Sequence, residues 1–239
     1  MLMMNGLDLL LGLPLELRQE VYSYLIPQRT TPKPIPNVGI ASVTHLPPSP
    51  HMLVVDRRLT EELLEYFYSV ATWKLILSHE FNYFRCDPTL SQLAAWPCLG
   101  RMQKAEIVFF CNVQLLKDYP SFGLERFCAE IQRRITRACD ILASVQDLRR
   151  IKVSWIDTTA TVFWPRIVDP LRLLMDKVEF AVGEMIGPDQ IDMPKFVQDI
   201  EERLGIGALS DECRLSIDDV SRQDHMRRKH VPDLGSRGV

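Results

Sequence analysis

Three consecutive residues of the chain carry the groups of a proton relay. Ser78, His79 and Glu80 supply a hydroxyl, an imidazole and a carboxylate, the set that activates a serine nucleophile. Neighbouring residues of a strand point to opposite faces, so this run cannot form a relay by itself, and a surface turn is the plainer interpretation. The nucleophile elbow, the phosphate-binding loop, the dinucleotide fingerprint and the metalloprotease motif do not occur. The sequence therefore predicts a protein that is not an enzyme and needs no cofactor.

The C-terminal stretch combines metal-ligand residue types with a short basic run. Cys213, His225 and His230 could ligate a metal ion, and the run 227–229 could contact nucleic acid or act as a nuclear address. No apolar periodicity orders this stretch, and no aromatic side chain is interleaved with the basic residues to stack on bases. We therefore predict a polar, flexible tail over 208–239 without a metal site, and nucleic acid is disfavoured as a partner.

Composition and charge are typical of an ordinary globular protein. The chain has 239 residues, 46% of them hydrophobic, which is enough for one large domain or two small ones. Its net charge of −3 creates no field that would attract nucleic acid or an anionic membrane. The six cysteines lie far apart without C-x-x-C spacing, which predicts reduced thiols in the cytoplasm or nucleus. No apolar run is long enough to span a membrane, and the apolar N-terminus lacks the features of a signal peptide.

Two amphipathic helices are predicted near the N-terminus, on either side of a proline-rich stretch. The first helix starts at Pro14 and ends before Pro27. Its apolar face consists of Leu17, Val21, Tyr24 and Leu25. The prolines of 28–50 predict a long loop that forms no regular ladder. The second helix covers about 53–69, and its apolar face consists of residues that recur every four positions, Val55, Leu59, Leu63 and Phe67.

The remaining chain is predicted to alternate helices and strands. Strands are expected over 72–77, 104–110, 149–156 and 177–184, and helices over 88–99, 122–144, from 170 onward and over 193–204. Such repetition favours a parallel sheet. Alternating apolar and polar residues in the strands favour one covered and one wetter face, and hence two layers rather than helices on both sides. The wetter face would include Glu106, Lys152, Ser154 and Glu179.

Three stretches of this part are loosely alike. Each has a leucine-led helix end, a polar joint and a strand: LAAWPCLGRMQKAEIVFF, LASVQDLRRIKVSWI and LRLLMDKVEFAVGE. They resemble degenerate leucine-rich repeats, which stack into a curved sheet with an exposed inner face. Their spacing is unequal and the asparagine of the motif is missing, so an α/β domain without true repeats fits equally well.

The opening stretch and the second helix together resemble a fungal F-box-like group, which includes the domain family named for a doubled Glu-x-Arg motif. The first half of the shared pattern is matched by Leu13, Pro14, Glu16, Leu17, Arg18, Val21, Tyr24 and Leu25. The second half, an Arg-x-x-x-x-Glu helix that ends in aromatic-Tyr-Ser, is matched by Arg57, Glu62, Tyr66, Tyr68 and Ser69. A proline-rich gap separates the two halves here, where the pattern has a variable loop.

This resemblance implies an α+β or α/β protein in which an F-box-like segment, residues 1–70, packs on a two-layer domain, residues 71–207. It also implies that a Skp-type adaptor binds Leu13, Pro14, Leu17, Val21, Tyr24 and Leu25. The wetter sheet face would then hold a second protein and bring it to a cullin-type ubiquitin ligase. An alternative stays open, a structural subunit whose N-terminal helices serve only folding or oligomerisation, because periodicity does not reveal which helix face is buried.

Overall fold

Five strands joined in one sheet, with helices packed against it, form the body of the protein. The computed structural model describes residues 6–29, 40–78, 90–111, 124–157, 165–188 and 191–206. Residues Met1–Gly205 form one compact unit and Ile206–Val239 a second, of which only Ile206 is described. The predicted boundary near residue 70 falls inside the first unit, because strands from either side of it pair with each other.

Helices and strands alternate along most of the described chain. In chain order the elements are α1 (Gly6–Gly12), α2 (Leu15–Leu25), β1 (Ile40–Val43), α3 (Pro50–Leu53), α4 (Arg57–Val70), β2 (Thr72–Ser78), α5 (Ser91–Ala94), a 3-10 turn (Leu99–Arg101), β3 (Lys104–Cys111), α6 (Leu124–Ala143), β4 (Arg150–Asp157), a 3-10 helix (Pro165–Leu174), β5 (Glu179–Ile186) and α7 (Met193–Arg203). The predicted mixed α/β class with a mostly parallel sheet is confirmed.

The strand order places the helices on one side of the sheet. The order is β1-β2-β3-β4-β5, with β1 antiparallel to β2 and the other pairs parallel. Each parallel strand lies beside the preceding one in a constant direction, so right-handed crossovers bring the connecting helices to the same face. Ring contacts agree, since Tyr68 of α4 stacks on Trp73 of β2 and Phe196 of α7 meets Trp155 of β4. We call this side of the sheet the covered face and the other side the opposite face.

The core lies between the covered face and α6. Ile107, Val153 and Trp155 of the sheet are fully enclosed, and so are Ile135 and Leu142 of the helix. Because interiors are packed at the density of organic crystals, these contacts fix the strands and helices relative to each other.

One strand lies in the stretch that was predicted to form no ladder. Ile40–Val43 contains no proline, so each residue keeps the N–H that strand pairing needs. Val43 pairs with Trp73 of β2, and an isolated bridge joins Gln28 to His45. The prediction of a loop without a ladder over 28–50 is therefore wrong for this segment, which forms an edge of the sheet.

Two predicted elements near the end of the sheet are displaced. The helix expected from 170 is a 3-10 helix that begins at Pro165 and contains Pro170, which lacks the N–H of an α-helical bond. The strand expected over 177–184 occupies Glu179–Ile186 instead. Lys177 and Val178 do not join the strand, because their backbone N–H groups both donate to the carbonyl oxygen of Leu174, each at 3.0 Å. The ammonium of Lys177 donates to the carbonyl oxygen of Ala143 at 2.6 Å, at the C-terminal end of α6.

The helix predicted over 53–69 is interrupted. α3 ends at Leu53, and α4 starts anew at Arg57 with Asp56 as its N-cap. The carboxylate of Asp56 accepts a hydrogen bond from the backbone N–H of Leu59 at 3.0 Å. This cap satisfies one of the N–H groups that a helix start leaves without a partner, and so fixes where α4 begins.

The Asp56 cap leads to a test of stability. We expect Asp56→Ala to lower the free energy of unfolding by about 1 kcal/mol, because the N–H of Leu59 loses its acceptor. Asp56→Asn keeps a capping oxygen and should stay within a few tenths of a kcal/mol of the natural chain. Urea denaturation followed by circular dichroism measures both; equal losses in the two variants would refute the capping role.

Candidate functional site

α2 is attached to the body of the protein by a polar stripe. Arg18, Tyr22 and Ile26 are buried at four-residue spacing, whereas most of the remaining helix is exposed. The guanidinium of Arg18 donates twice to the carboxylate of Glu62 on α4, at 2.7 and 3.0 Å. The hydroxyl of Tyr22 donates to the same carboxylate at 2.9 Å. A charged, two-pronged contact of this kind fixes both the position and the orientation of the helix.

The carboxylate of Glu62 gathers donors from two helices. Arg58, one turn earlier on α4, donates to it at 3.1 Å. Arg18 also donates to the backbone carbonyl oxygens of Leu11 and Leu13, so it holds the end of α1 as well as the start of α2. We call Arg18, Tyr22, Arg58 and Glu62 the Glu62 network.

Charges and hydrogen bonds in this network determine its protonation. Burial raises the pKa of Glu62, but the hydrogen bonds from Arg18, Tyr22 and Arg58 outweigh it and hold the pKa below the usual 4.5. Burial, followed by the bond to Glu62, raises the pKa of Tyr22 to about 12. At neutral pH the carboxylate is therefore charged and the tyrosine keeps the proton that it donates.

The apolar residues of α2 do not take part in this attachment. Tyr24 is 78% exposed and Leu17 48%, while Leu13 and Leu25 are each 37% exposed. Pro14 is exposed and Val21 is half-buried. Five of the six residues predicted to bind a partner are thus exposed, and Val21 is half-buried between them; we call Leu13, Pro14, Leu17, Val21, Tyr24 and Leu25 the α2 apolar face.

This arrangement reverses the usual one. A helix on the surface of a globular protein normally buries its apolar stripe and exposes its polar side. In α2 the side chains that pack against α4 are Arg18 and Tyr22. The ring of Tyr22 contacts the ring of Tyr66 edge-on, with 5.9 Å between the ring centroids. Exposed apolar residues gathered on one helix are a feature of sites that bind other proteins.

The turn between α3 and α4 exposes further apolar residues. Val54 is 81% and Val55 57% exposed. Val55 was predicted to continue the buried stripe of Leu59, Leu63 and Phe67, and for Val55 that prediction is wrong because the helix is broken at Asp56. The other three are buried as predicted.

The second predicted surface is only partly exposed. Lys152 and Glu179 are exposed on the opposite face of the sheet, as expected. Glu106 and Ser154 lie on the same face but are 7% and 1% exposed, so the expectation that they offer side chains to a second protein is wrong. Polar residues at alternate strand positions were predicted to face water. Glu106 and Ser154 are instead buried and form hydrogen bonds with each other.

Those two residues belong to a buried polar cluster that joins four strands. The hydroxyl of Ser154 donates to the carboxylate of Glu106 at 2.7 Å and accepts the backbone N–H of Glu184 at 3.1 Å. The ammonium of Lys74 lies 3.4 Å from the other oxygen of Glu106. The hydroxyl of Ser154 is buried and takes part in two hydrogen bonds. Ser154 therefore stabilises the sheet and is not placed to attack a substrate.

The groups considered for chemistry lie mostly outside the described residues. His79, Glu80, Cys213 and the basic run 227–229 are among these. In the segments that the structure describes, no three His, Cys, Asp or Glu residues are grouped to hold a metal ion, and no helix is long and apolar enough to cross a membrane. Burial raises the pKa of the Cys139 thiol to about 12, with a further contribution from Asp140, so this thiol is unreactive at neutral pH.

Sequence reasoning did not assign roles to Arg18, Tyr22 and Glu62. Arg18 and Glu62 both belong to the F-box-like pattern, one in each half, and they are 44 residues apart. Two signals were present: an arginine and a tyrosine four positions apart on α2, and a glutamate at the centre of α4. Neither signal says that the two helices meet.

The Glu62 network predicts a specific loss of stability in acid. Because the folded-state pKa of Glu62 is lowered, its charge stabilises the fold above pH 4.5, and this contribution is lost as the pH falls through the folded-state pKa. Glu62→Gln should therefore be less stable than the natural chain at pH 7, with the difference shrinking steadily as the pH drops below 4.5. Urea denaturation over that range measures it.

The matched control is Glu61→Gln on the same helix. Glu61 pairs with Arg57 at 2.9 Å, but both side chains are largely exposed, and exposed pairs contribute little. We expect Glu61→Gln to change stability only slightly at any pH. A pH-independent difference between the natural chain and Glu62→Gln would show that the charge of Glu62 does not hold α2.

Comparison with known proteins identifies no relative of this chain. No protein-family model matches it, and neither the curated proteins nor the solved structures include a match. Its function is therefore inferred from the placement of its own residues.

Proposed function

We propose that the chain is a noncatalytic interaction protein whose α2 apolar face binds another protein. The partner that the F-box-like resemblance favours is a Skp-type adaptor, which would make the chain a substrate-recruiting subunit of a cullin-type ubiquitin ligase. The opposite face of the sheet then holds the protein that is recruited. In this proposal residues 1–70 act as the F-box-like segment, and the sheet beyond them as a leucine-rich-repeat-like platform.

One observation carries the proposal: α2 buries Arg18 and Tyr22 while it leaves Leu17, Tyr24 and Leu25 exposed. Leu17, Val21 and Tyr24 follow each other at spacings of four and three, the pattern by which a helix enters an apolar groove of a partner. Tyrosine is among the residues that contribute most to binding energy at interfaces, and Tyr24 is more exposed than Leu13, Leu17 or Leu25. Transferring these side chains out of water would favour association.

The Glu62 network supports the F-box-like interpretation in particular. Arg18 comes from the first half of the sequence pattern and Glu62 from the second, and their contact ties the halves into one structural unit. The apolar residues of the first half, Leu13, Pro14 and Leu17, are left on the surface. A pattern of this kind, with charged residues for assembly and apolar residues outward, suits a docking module.

The test is direct binding to purified Skp-type adaptors by isothermal titration calorimetry. The natural chain should bind, and Leu17→Asp combined with Tyr24→Asp should weaken binding at least about a hundredfold, because two central apolar contacts are replaced by charge. Both residues are exposed, so we expect the variant to fold. Circular dichroism verifies this.

The matched control adds the same charge elsewhere on α2. Gln19→Asp with Ser23→Asp changes two exposed residues outside the apolar face and should leave binding within a factor of about three. No adaptor binding by the natural chain at about 50 μM would refute the adaptor proposal, since specific complexes are far tighter than this. A self-associating chain that becomes monomeric with Leu17→Asp and Tyr24→Asp would instead support the structural subunit.

A further inference from the structure

The opposite face of the sheet carries four basic side chains on three adjacent strands. Pairing places Lys104 beside Arg150, and in the next row Glu106 between Lys74 and Lys152. Neighbouring strands are about 4.8 Å apart and alternate residues of one strand about 6.6 Å apart, so the basic residues fall within one small area. We call Lys74, Lys104, Arg150 and Lys152 the basic patch.

Two carboxylates lie in these two rows, and the four basic side chains outnumber them. Glu106 is buried, and its oxygens are occupied by the hydroxyl of Ser154 and the ammonium of Lys74. Glu179 pairs with Arg150 at 2.8 Å, with half or more of both side chains exposed. Exposed ion pairs are weak, so another carboxylate can compete for Arg150.

Lys104 and Lys152 are the cations best placed to meet an anion. Neither has an ion-pair partner among the described residues. Burial, followed by the nearby charge of Lys104, lowers the pKa of His45. The stem of Lys152 lies over Gly183, where an added Cβ would stand 2.7 Å from its Cδ. The glycine thus leaves room both for the hydroxyl of Ser154, which lies nearest, and for the stem of Lys152.

We propose that the basic patch binds an extended acidic segment of a second protein. This rests on the proposed function, since it gives the chemistry of the protein that the chain recruits. Besides Glu179, the remaining positions of the two rows are Thr72, Ala181 and Ser42 of β1. None of the described residues in these rows is aromatic, so the rows offer no ring to stack on a base, and a peptide suits the patch better than a single-stranded nucleic acid. Carboxylates on alternate residues of an extended peptide repeat at about the spacing of the two rows.

The experiment is fluorescence anisotropy with a labelled peptide of about ten residues that has glutamate at alternate positions. The natural full chain should bind it with an affinity that falls as salt is added. Lys104→Glu with Lys152→Glu should weaken binding about tenfold or more, whereas Glu179→Gln should strengthen it a few-fold by removing the competing carboxylate. Circular dichroism confirms that each variant is folded.

The control makes the same charge change in the helix layer. Arg172→Glu with Lys195→Glu alters exposed residues of the 3-10 helix and α7, and should leave peptide affinity unchanged. Equal weakening in both double variants, or no binding by the natural chain, would overturn the proposal. Tighter binding of a single-stranded oligonucleotide of equal charge through Lys104 and Lys152 would overturn the choice of a protein partner.

The two proposals can be tested independently of each other. Lys104→Glu with Lys152→Glu should bind the Skp-type adaptor as the natural chain does, and Leu17→Asp with Tyr24→Asp should bind the acidic peptide normally. Loss of adaptor binding alone would leave the basic patch standing. Loss of peptide binding alone would leave the α2 apolar face standing.

Discussion

The contact between Arg18 and Glu62 is the constraint on which the surface of this protein depends. A short helix is marginal by itself in water and needs tertiary contacts to persist. α2 gains them through a buried arginine, a buried tyrosine and one carboxylate, with the end of α1 held by the same guanidinium. Because the arginine has five donors in a fixed fork, it satisfies the carboxylate and the chain turn at once, which a lysine could not do. The helix is therefore attached while Leu17, Tyr24 and Leu25 stay exposed.

The sheet follows from an equally simple rule. The four parallel strands follow one another across the sheet in chain order. Because right-handed crossovers join consecutive strands, all the connecting helices cover the same side of the sheet. The covered face takes the large aromatic residues, such as Trp73 and Trp155, and the opposite face takes the charged rows. The protein thus has two chemically different surfaces, an apolar one on α2 and a basic one on the sheet. A bridge between two partners needs such a difference, so that each partner recognises its own site.

The local sequence pattern predicted most helices and strands, but not the contacts between elements that are distant in the sequence. Alternation in β3 and β4 is strong because their inward residues fill the core, and both strands were predicted within one residue. β1 was missed because a short strand amid prolines carries little local signal, and its pairing with β2 is a tertiary contact. The Glu62 network was missed for the same reason. Glu106 and Ser154 were taken for surface residues because the sequence does not show that a carboxylate and a hydroxyl on adjacent strands satisfy each other.

The polar attachment of α2 has an evolutionary consequence. Where a helix is anchored by its hydrophobic residues, each substitution among them alters both folding and recognition, and selection acts on the two together. Here the anchor is confined to Arg18, Tyr22 and Glu62, so Leu17 or Tyr24 can diverge with little effect on the native state. Under the proposed function, lineages can therefore acquire new partners at this helix without first having to evolve a new scaffold.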